Sequence, residues 1–236
     1  MLEVYTGPTP NGQKIAIMLA ETGLPYRLHE IDILAGDQLT EDFRAISPNN
    51  KHPALIDPDG PDGRPVTVWE SGAILMYLAE KAGMLIPRDA LRRVEMLKWL
   101  FFQVANQGPM AGQFAHFAFY AKERIPYAID RYRNEMNRQY AVLDAHLDGR
   151  AYVADEYSIA DIALLPYAYT MSARFEQNRP NLRRWIDGLM SRDTVQHGME
   201  FMTDRIRKET IAGGMEGFND EHRSILFGDR QYEQSR

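Results

Sequence analysis

Two stretches of the chain carry groups whose types and spacing suit an anionic, peptide-like ligand. The first is Ser47-Pro48-Asn49-Asn50-Lys51-His52-Pro53, a polar turn bracketed by prolines and followed by the apolar run Ala54-Leu55-Ile56. A proline directly ahead of a strand cannot donate to a sheet ladder and is a candidate for the cis form. With Pro53 cis, the amide and carbonyl of His52 face outward and can pair with an extended peptide as a strand edge does. The second stretch, Trp69-Glu70-Ser71-Gly72, reads as a strand end followed by a helix start, with Ser71 the expected N-cap. Exposed amides and a hydroxyl at that helix mouth suit a carboxylate, and Glu70 suits an ammonium, so the mouth fits a zwitterion. Lys51 lies in the first stretch with no acidic residue between Asp42 and Asp57, which favours contact with a ligand carboxylate. Taken singly, these features also read as a capping serine, an incidental acid and a solvated lysine; their pairing is what points to a ligand.

The elements that would hold these stretches follow from periodicity and breakers. Leu2 to Thr6 alternates and ends at Gly7-Pro8, as a strand before a turn does. Thr9-Pro10 is the expected opening of a helix, Thr9 capping and Pro10 at the first helical position, and the helix stops near Gly23-Leu24-Pro25. Tyr26 to Ile31 alternates again, Thr40 to Ile46 is a short helix, and Ala54–Asp57 and Val66–Trp69 are strands around a turn dense in Pro, Asp and Gly. Ser71 to Ala82 is helical. The order β-α-β-α-β-β-α, with a proline loop ahead of the third strand, is a thioredoxin-like α/β arrangement spanning residues 1–82.

From residue 90 onward no strand is expected. Arg92 to Tyr120 is a long helical run with a break expected at Gly108-Pro109. Tyr127 to Leu147 sets Ile129, Tyr132, Met136, Tyr140, Leu143 and Leu147 on one helical face. Ser158-Ile159-Ala160-Asp161 fits a capping box ahead of the apolar run Ile162 to Leu165. Asn181 to Ser191 and Thr194 to Lys208 are two further helices. The expected domains are therefore 1–82, a linker at 83–89, an all-α domain over 90–210, and a polar tail over 211–236 whose packing the sequence does not decide.

Composition narrows the function. Apolar content of 44% and charged content of 25% belong to a soluble globular protein. Net charge is −6, with 6 basic and 12 acidic side chains in residues 1–82 and 21 of each beyond, so neither nucleic acid nor an anionic membrane is an expected partner. The 236 residues contain no cysteine, which removes disulfides, thiolate metal sites and a cysteine nucleophile; no metal is expected. Without a basic start followed by an apolar run at the N-terminus, no secretory signal is expected, and a reducing, cytoplasmic location is. The least charged stretch, Trp99 to Ala121, is interrupted by Gln, Asn, Gly, Pro and His and is not a membrane span.

Thr9-Pro10-Asn11-Gly12, Ser47 to Pro53, Glu70-Ser71-Gly72-Ala73-Ile74-Leu75, Gly108-Pro109-Met110, Ile125-Pro126-Tyr127-Ala128-Ile129 and Tyr157-Ser158-Ile159-Ala160-Asp161 occur in this order over about residues 1 to 208. In this set the chain resembles the cytosolic glutathione transferases, and among them the bacterial nu-class group with disulfide-reductase activity. The resemblance implies a thioredoxin-like N-terminal domain plus an all-α C-terminal helical domain, a homodimer, and glutathione, reduced or oxidised, as co-substrate. It implies that the His52 backbone, beside cis Pro53, meets the cysteinyl unit, that Glu70 and Ser71 hold the γ-glutamyl end, that Lys51 and Gln38 lie beside the glycyl end, and that Arg131 completes the site. The His52 ring itself is expected to face solvent, and Arg131 equally reads as a solvated helical arginine.

A thiolate near neutral pH must form from a thiol of pKa about 8.5. The N-terminal amides of the first helix, the Thr9 hydroxyl and the Asn11 amide can stabilise that anion, although Thr9 also reads as a plain cap and Asn11 as a turn residue. Tyr5 is the second candidate, better suited to the sheet core. Without a cysteine, disulfide reduction requires glutathione to supply the sulfur, which is the favoured reading; conjugation of glutathione to small electrophiles and a non-catalytic glutathione-fold interaction protein are the alternatives. Phe101, Phe102, Phe114, Phe117 and Tyr120 are candidates for a second-substrate pocket, the last three above all, or else for core.

Overall fold

Alternate residues of a strand face opposite sides, and β1 (Leu2–Thr6) buries Leu2, Val4 and Thr6 while Glu3 and Tyr5 are only partly covered. The computed structural model describes residues 1–172, 178–201 and 218–233. After β1 come α1 (Pro10–Thr22), β2 (Tyr26–Glu30), α2 (Glu41–Ile46), β3 (Ala54–Asp57), β4 (Val66–Trp69) and α3 (Ser71–Ala82), in the order expected. β1 runs parallel to β2 across the α1 crossover and antiparallel to β3, and β3 and β4 form a hairpin, so the sheet order is β2-β1-β3-β4. Leu2, Val4 and Leu55 join the side chains of α1 and α3 in one core, while Tyr5, Ile31, Phe43 and Ala54 form a smaller one with α2 on the opposite face.

One capping expectation is corrected. Ser71 is the first helical residue of α3, and the cap position belongs to Glu70, whose backbone lies at φ 74° and ψ 119° and whose side chain makes no capping bond. The chain reverses direction at Glu70, so Ser71 already has helical geometry and its hydroxyl meets Lys14 instead of its own helix.

The remaining described elements are helical: α4 (Ala90–Phe102), α5 (Gly108–Ala115), α6 (Pro126–His146), α7 (Ile159–Ser172), α8 (Pro180–Met190), α9 (Asp193–Glu200), α10 (Asp220–Phe227) and α11 (Asp229–Glu233). The expected break at Gly108-Pro109 does not occur. Residues 103–107 form a π turn in which the Gly108 amide donates to the Gln103 carbonyl, and the helix continues through Pro109. Proline lacks an N–H and crowds the carbonyl one turn back; widening the turn just ahead of it accommodates both and directs Gln103 and Gln107 into the interior, where both are buried. A second π turn covers 116–120. The helix expected from Thr194 is seen to Glu200; its part beyond residue 201 lies outside the described residues, as does the tail before Phe218.

α1 is gripped between these parts. Every residue from Gly12 to Leu19 is buried. At Gly198 of α9 a Cβ would stand 2.5 Å from the Ile17 amide nitrogen, a close approach only glycine permits. Gln13 donates from Nε2 to the Met199 carbonyl at 2.8 Å, and Glu21 near the far end takes two bonds of 2.9 Å from the Arg192 guanidinium and others from Thr194 and Tyr157. Burial raises the Glu21 pKa, but these donors outweigh it and hold the carboxyl below its usual range. Among the described residues, no helix is long and apolar enough to cross a membrane.

The Ser158 turn opens α7 as expected, and Asp161 is its knot. Its carboxylate accepts from the Val153 and Ser158 amides, the Ser158 hydroxyl and the Trp185 indole. Removing one buried acceptor strands several donors at once, each costing about 1–3 kcal/mol. Asp161→Ala is therefore expected to lower the stability by about 3 kcal/mol, read as a lower urea midpoint at unchanged slope, with Asp161→Asn losing less.

Candidate functional site

The tip of α1 opens on a cavity of about 700 Å³. Thr9 has extended backbone (φ −131°, ψ 164°), and its Oγ1 accepts from the Gly12 amide at 3.2 Å. A Cβ on Gly12 would sit 2.0 Å from the Gly7 carbonyl oxygen, so only glycine lets the Gly7-Pro8 turn fold over the helix tip. Capping takes a lone pair of Thr9 and leaves its hydroxyl hydrogen for the cavity, so the two accounts of Thr9 are compatible. Asn11 is arranged in the same way. Its Oδ1 accepts from the Tyr167 hydroxyl at 3.4 Å, which leaves the Asn11 amide hydrogens for a ligand. Burial pushes the Tyr167 pKa up to about 12, so the phenol holds its proton at neutral pH.

A smaller cavity of about 70 Å³ adjoins the first and shares Asn11, Lys51 and His52 with it; Ser47, Asn49, Pro53, Trp69, Glu70 and Ser71 complete its wall. Thr9, Asn11, Gln38, Lys51, His52, Pro53, Glu70 and Ser71 thus all line one cavity or both. The His52-Pro53 bond is cis. Gln38 is 5% exposed, with Nε2 bonded to the Ile33 carbonyl at 3.2 Å and Oε1 without a partner among the described residues.

The His52 ring, expected to face solvent, is half-buried and turned back toward the end of β1. Its Nδ1 accepts from the Gly7 amide at 3.2 Å and lies 3.3 Å from the Thr6 hydroxyl, so the imidazole fastens the proline loop to the end of β1 just ahead of Thr9. Burial pulls its pKa down to about 4, which makes it a neutral acceptor.

Other candidates lie elsewhere. Arg131 lines neither cavity; it stands on an outer face of α6, 3.8 Å from Glu135. Phe114 is 5% exposed in the main core and Phe117 stacks on Tyr132 at 5.7 Å, so neither reaches the cavity. The main cores already claim these rings because α5 packs against α6. Phe101 is exposed and Phe102 packs edge-on against Trp99. Tyr5 stacks on His29 at 4.4 Å, away from both cavities. Tyr120 does line the large cavity, together with His116 and with Phe218 and Phe227 from the tail. The tail's Phe227 lies 4.6 Å from the His116 ring and 5.6 Å from that of Tyr120, and Arg223 bonds the Tyr120 carbonyl.

Lys14 and the tail wall escaped sequence reasoning. Lys14 is 1% exposed, and its Nζ donates to Gln103 Oε1 at 2.6 Å and Ser71 Oγ at 3.2 Å. Its signal was there: Lys14 follows Asn11 by three residues, on the same face of a helix otherwise wholly apolar in its middle. Among the described residues no cluster of side chains could hold a metal ion.

Residues 9–81 match the family model of the glutathione S-transferase N-terminal domain, and residues 126–188 that of the C-terminal domain. The disulfide-bond oxidoreductase YfcG of Escherichia coli is 44% identical over 196 residues, 81% of this chain and 91% of its own length. A glutathione transferase from Pseudomonas putida, solved with one glutathione disulfide bound per subunit, superposes with a TM-score of 0.81 at 44% identity over 84% of this chain and 90% of its own. A relative from Pseudomonas fluorescens, solved with two glutathione molecules, gives 0.80 at 41% identity over 84% and 92%.

Because the His52 pKa is depressed from 6.5 to about 4, folding favours the neutral ring. Its contribution is complete above pH 6.5 and is lost as pH falls from there toward 4, by up to about 1.4 kcal/mol per pH unit. His52→Gln, whose side-chain oxygen can still accept from Gly7, is expected to flatten the acid limb of the stability–pH profile between those values in urea titrations.

Proposed function

The chain belongs to the glutathione S-transferase family, and on that premise we propose that it reduces disulfides with glutathione supplying both reacting sulfur atoms. One observation carries the reading: a chain with no cysteine turns the hydroxyl of Thr9 and the amide of Asn11, at a helix tip, toward a cavity of about 700 Å³. The relatives named disulfide-bond oxidoreductase and those solved with glutathione disulfide support it.

Glutathione binds with its cysteinyl unit along the His52 backbone, whose amide and carbonyl make no hydrogen bond among the described residues. Its γ-glutamyl end lies at Glu70 and Ser71, and its glycyl end beside Lys51 and Gln38. The thiolate, stabilised by the helix tip, attacks one sulfur of the foreign disulfide. A new S–S bond forms to glutathione as the old one breaks, and the departing thiolate takes a proton. A second glutathione thiolate then attacks the mixed disulfide, releasing glutathione disulfide and the second thiol. Two glutathiones are oxidised and one disulfide is reduced, with no electrons left over. The departing group occupies the half of the cavity walled by His116, Tyr120, Phe218 and Phe227. A glutathione-rich reducing cytoplasm is the fitting location.

The active species is a homodimer formed through α4, where Leu91, Val94 and Phe101 recur on one outer face and stand 81%, 56% and 62% exposed. Light scattering is expected to give twice the chain mass, and Phe101→Glu to shift it toward the monomer.

Under equal conditions the protein is expected to turn over bis(2-hydroxyethyl) disulfide far faster than an aryl halide; the reverse ratio would make it a conjugating transferase. Thr9→Ala is expected to lower kcat for the disulfide by about 10²-fold with little change in the glutathione Kd, whereas equal losses in both would reduce Thr9 to a cap.

A further inference from the structure

Lys14 is a buried charge that none of these steps uses. It sits in the second turn of α1, 1% exposed, with its Nζ between Gln103 Oε1 and Ser71 Oγ and 5.3 Å from the centre of the Tyr167 ring. Among the described residues no carboxylate lies in ion-pair contact with it; Glu70 is the acid whose field it feels. A buried charge without a contacting partner is costly and calls for an anion from elsewhere. The cavity offers the route. Ser71 lines it, and Lys14 stands one layer behind.

The polarity of the contact fixes the rest. An ammonium has donors only, so the bond to Ser71 occupies a lone pair of the hydroxyl. The single hydrogen of Ser71 is left over and, among the described residues, has no acceptor. We propose that Lys14 is a positioning residue for the glutamyl α-carboxylate of glutathione: it makes the Ser71 hydroxyl a committed donor toward that group and adds its own positive charge behind it. The proposal rests on the reading that Glu70 and Ser71 hold the γ-glutamyl end. Gln103 supports the ammonium from the helical half of the chain. It reaches Lys14 because the π turn at residues 103–107 swings it inward. Burial pulls the Lys14 pKa down to about 7 and the Glu70 carboxylate acts against that; a ligand carboxylate at Ser71 adds to the effect of Glu70, so the bound form is protonated.

The test is a mutant cycle between Lys14 and one group of the ligand, read by calorimetry. The probes are S-methylglutathione, which cannot exchange its sulfur, and the same compound with the glutamyl unit replaced by 4-aminobutyrate, which lacks the α-carboxylate. Lys14→Met is expected to weaken S-methylglutathione about 30-fold, the scale of a hydrogen bond to a charged group, and to leave the affinity for the truncated probe unchanged. Ser71→Ala should act on the same probe alone, and adding it to Lys14→Met should cost little more. In turnover, Lys14→Met raises the KM for glutathione by the same factor and keeps kcat at saturation. Equal weakening of both probes would overturn the proposal and make Lys14 a scaffold residue, as would no weakening of either. Wild-type protein that binds neither probe would sink the site assignment itself, and the proposal with it.

Discussion

Everything the site does depends on the immobility of one helix. A helix tip stabilises an anion only through the amides and dipole of its first turn, an effect that fades within that turn, so a small tilt of α1 would withdraw it. The fold prevents the tilt by covering α1 on all sides. Sheet and α3 hold one flank, and α9 lies so close on the other that Gly198 has no room for a side chain. The Arg192–Glu21 pair fixes the far end, and at the near end the Gly7-Pro8 turn is folded against Gly12 and tied down by the His52 ring.

A common polarity runs through the groups that face the ligand. The acceptor atoms of Thr9, Asn11 and Ser71 are each occupied from behind, by the Gly12 amide, the Tyr167 hydroxyl and the Lys14 ammonium respectively. With a lone pair of each already engaged, their hydrogens are left for the cavity. A thiolate and a carboxylate accept and cannot donate, so a wall built this way is matched to them before they arrive, with little reorientation on binding. The partners doing the filling come from two elements, α1 with Gly12 and Lys14 and α7 with Tyr167, and the Lys14 ammonium is braced in turn by Gln103 of the π turn after α4. The helical half of the molecule thus orients the polar groups of the sheet half as well as supplying His116, Tyr120, Phe218 and Phe227 to the wall of the large cavity.

Much of this was legible in the sequence. The strands, the helices and the Pro10 opening announce themselves because alternation, 3.6-residue spacing and proline placement are local signals. The wall residues were legible for the same reason, since Thr9, Lys51, His52, Pro53 and Glu70 lie in short turns between elements. Ser71 was found but given the wrong position, because a positive φ at the glutamate before it leaves no trace in residue type. Gly108-Pro109 looked like a break because local rules do not anticipate a π turn that absorbs a proline. Lys14 and the His52 ring were misread or missed for a deeper reason: a lone lysine or histidine is ordinarily solvated, and only the packing of distant elements over them decides otherwise. Of the aromatic candidates Tyr120 lines the large cavity, whereas Phe114 and Phe117 are claimed by the core and Phe218 and Phe227 arrive from the tail.

Lys14 also shows that this site and the stability of the fold pull in opposite directions. A fall from 10.5 to about 7 corresponds to roughly 5 kcal/mol against the folded state. The sign follows from protons bound. Below pH 7 both folded and unfolded chains carry the proton and the whole penalty stands; as pH rises from 7 to 10.5 the unfolded chain alone keeps it, and the penalty is relieved. A methionine of similar length would avoid the penalty altogether, so packing does not account for a lysine here. A ligand carboxylate placed beside Ser71 supplies the missing counter-charge and removes part of the cost. Binding therefore stabilises the protein by more than the contacts the ligand itself makes, because it also relieves an ammonium that the fold holds at a loss.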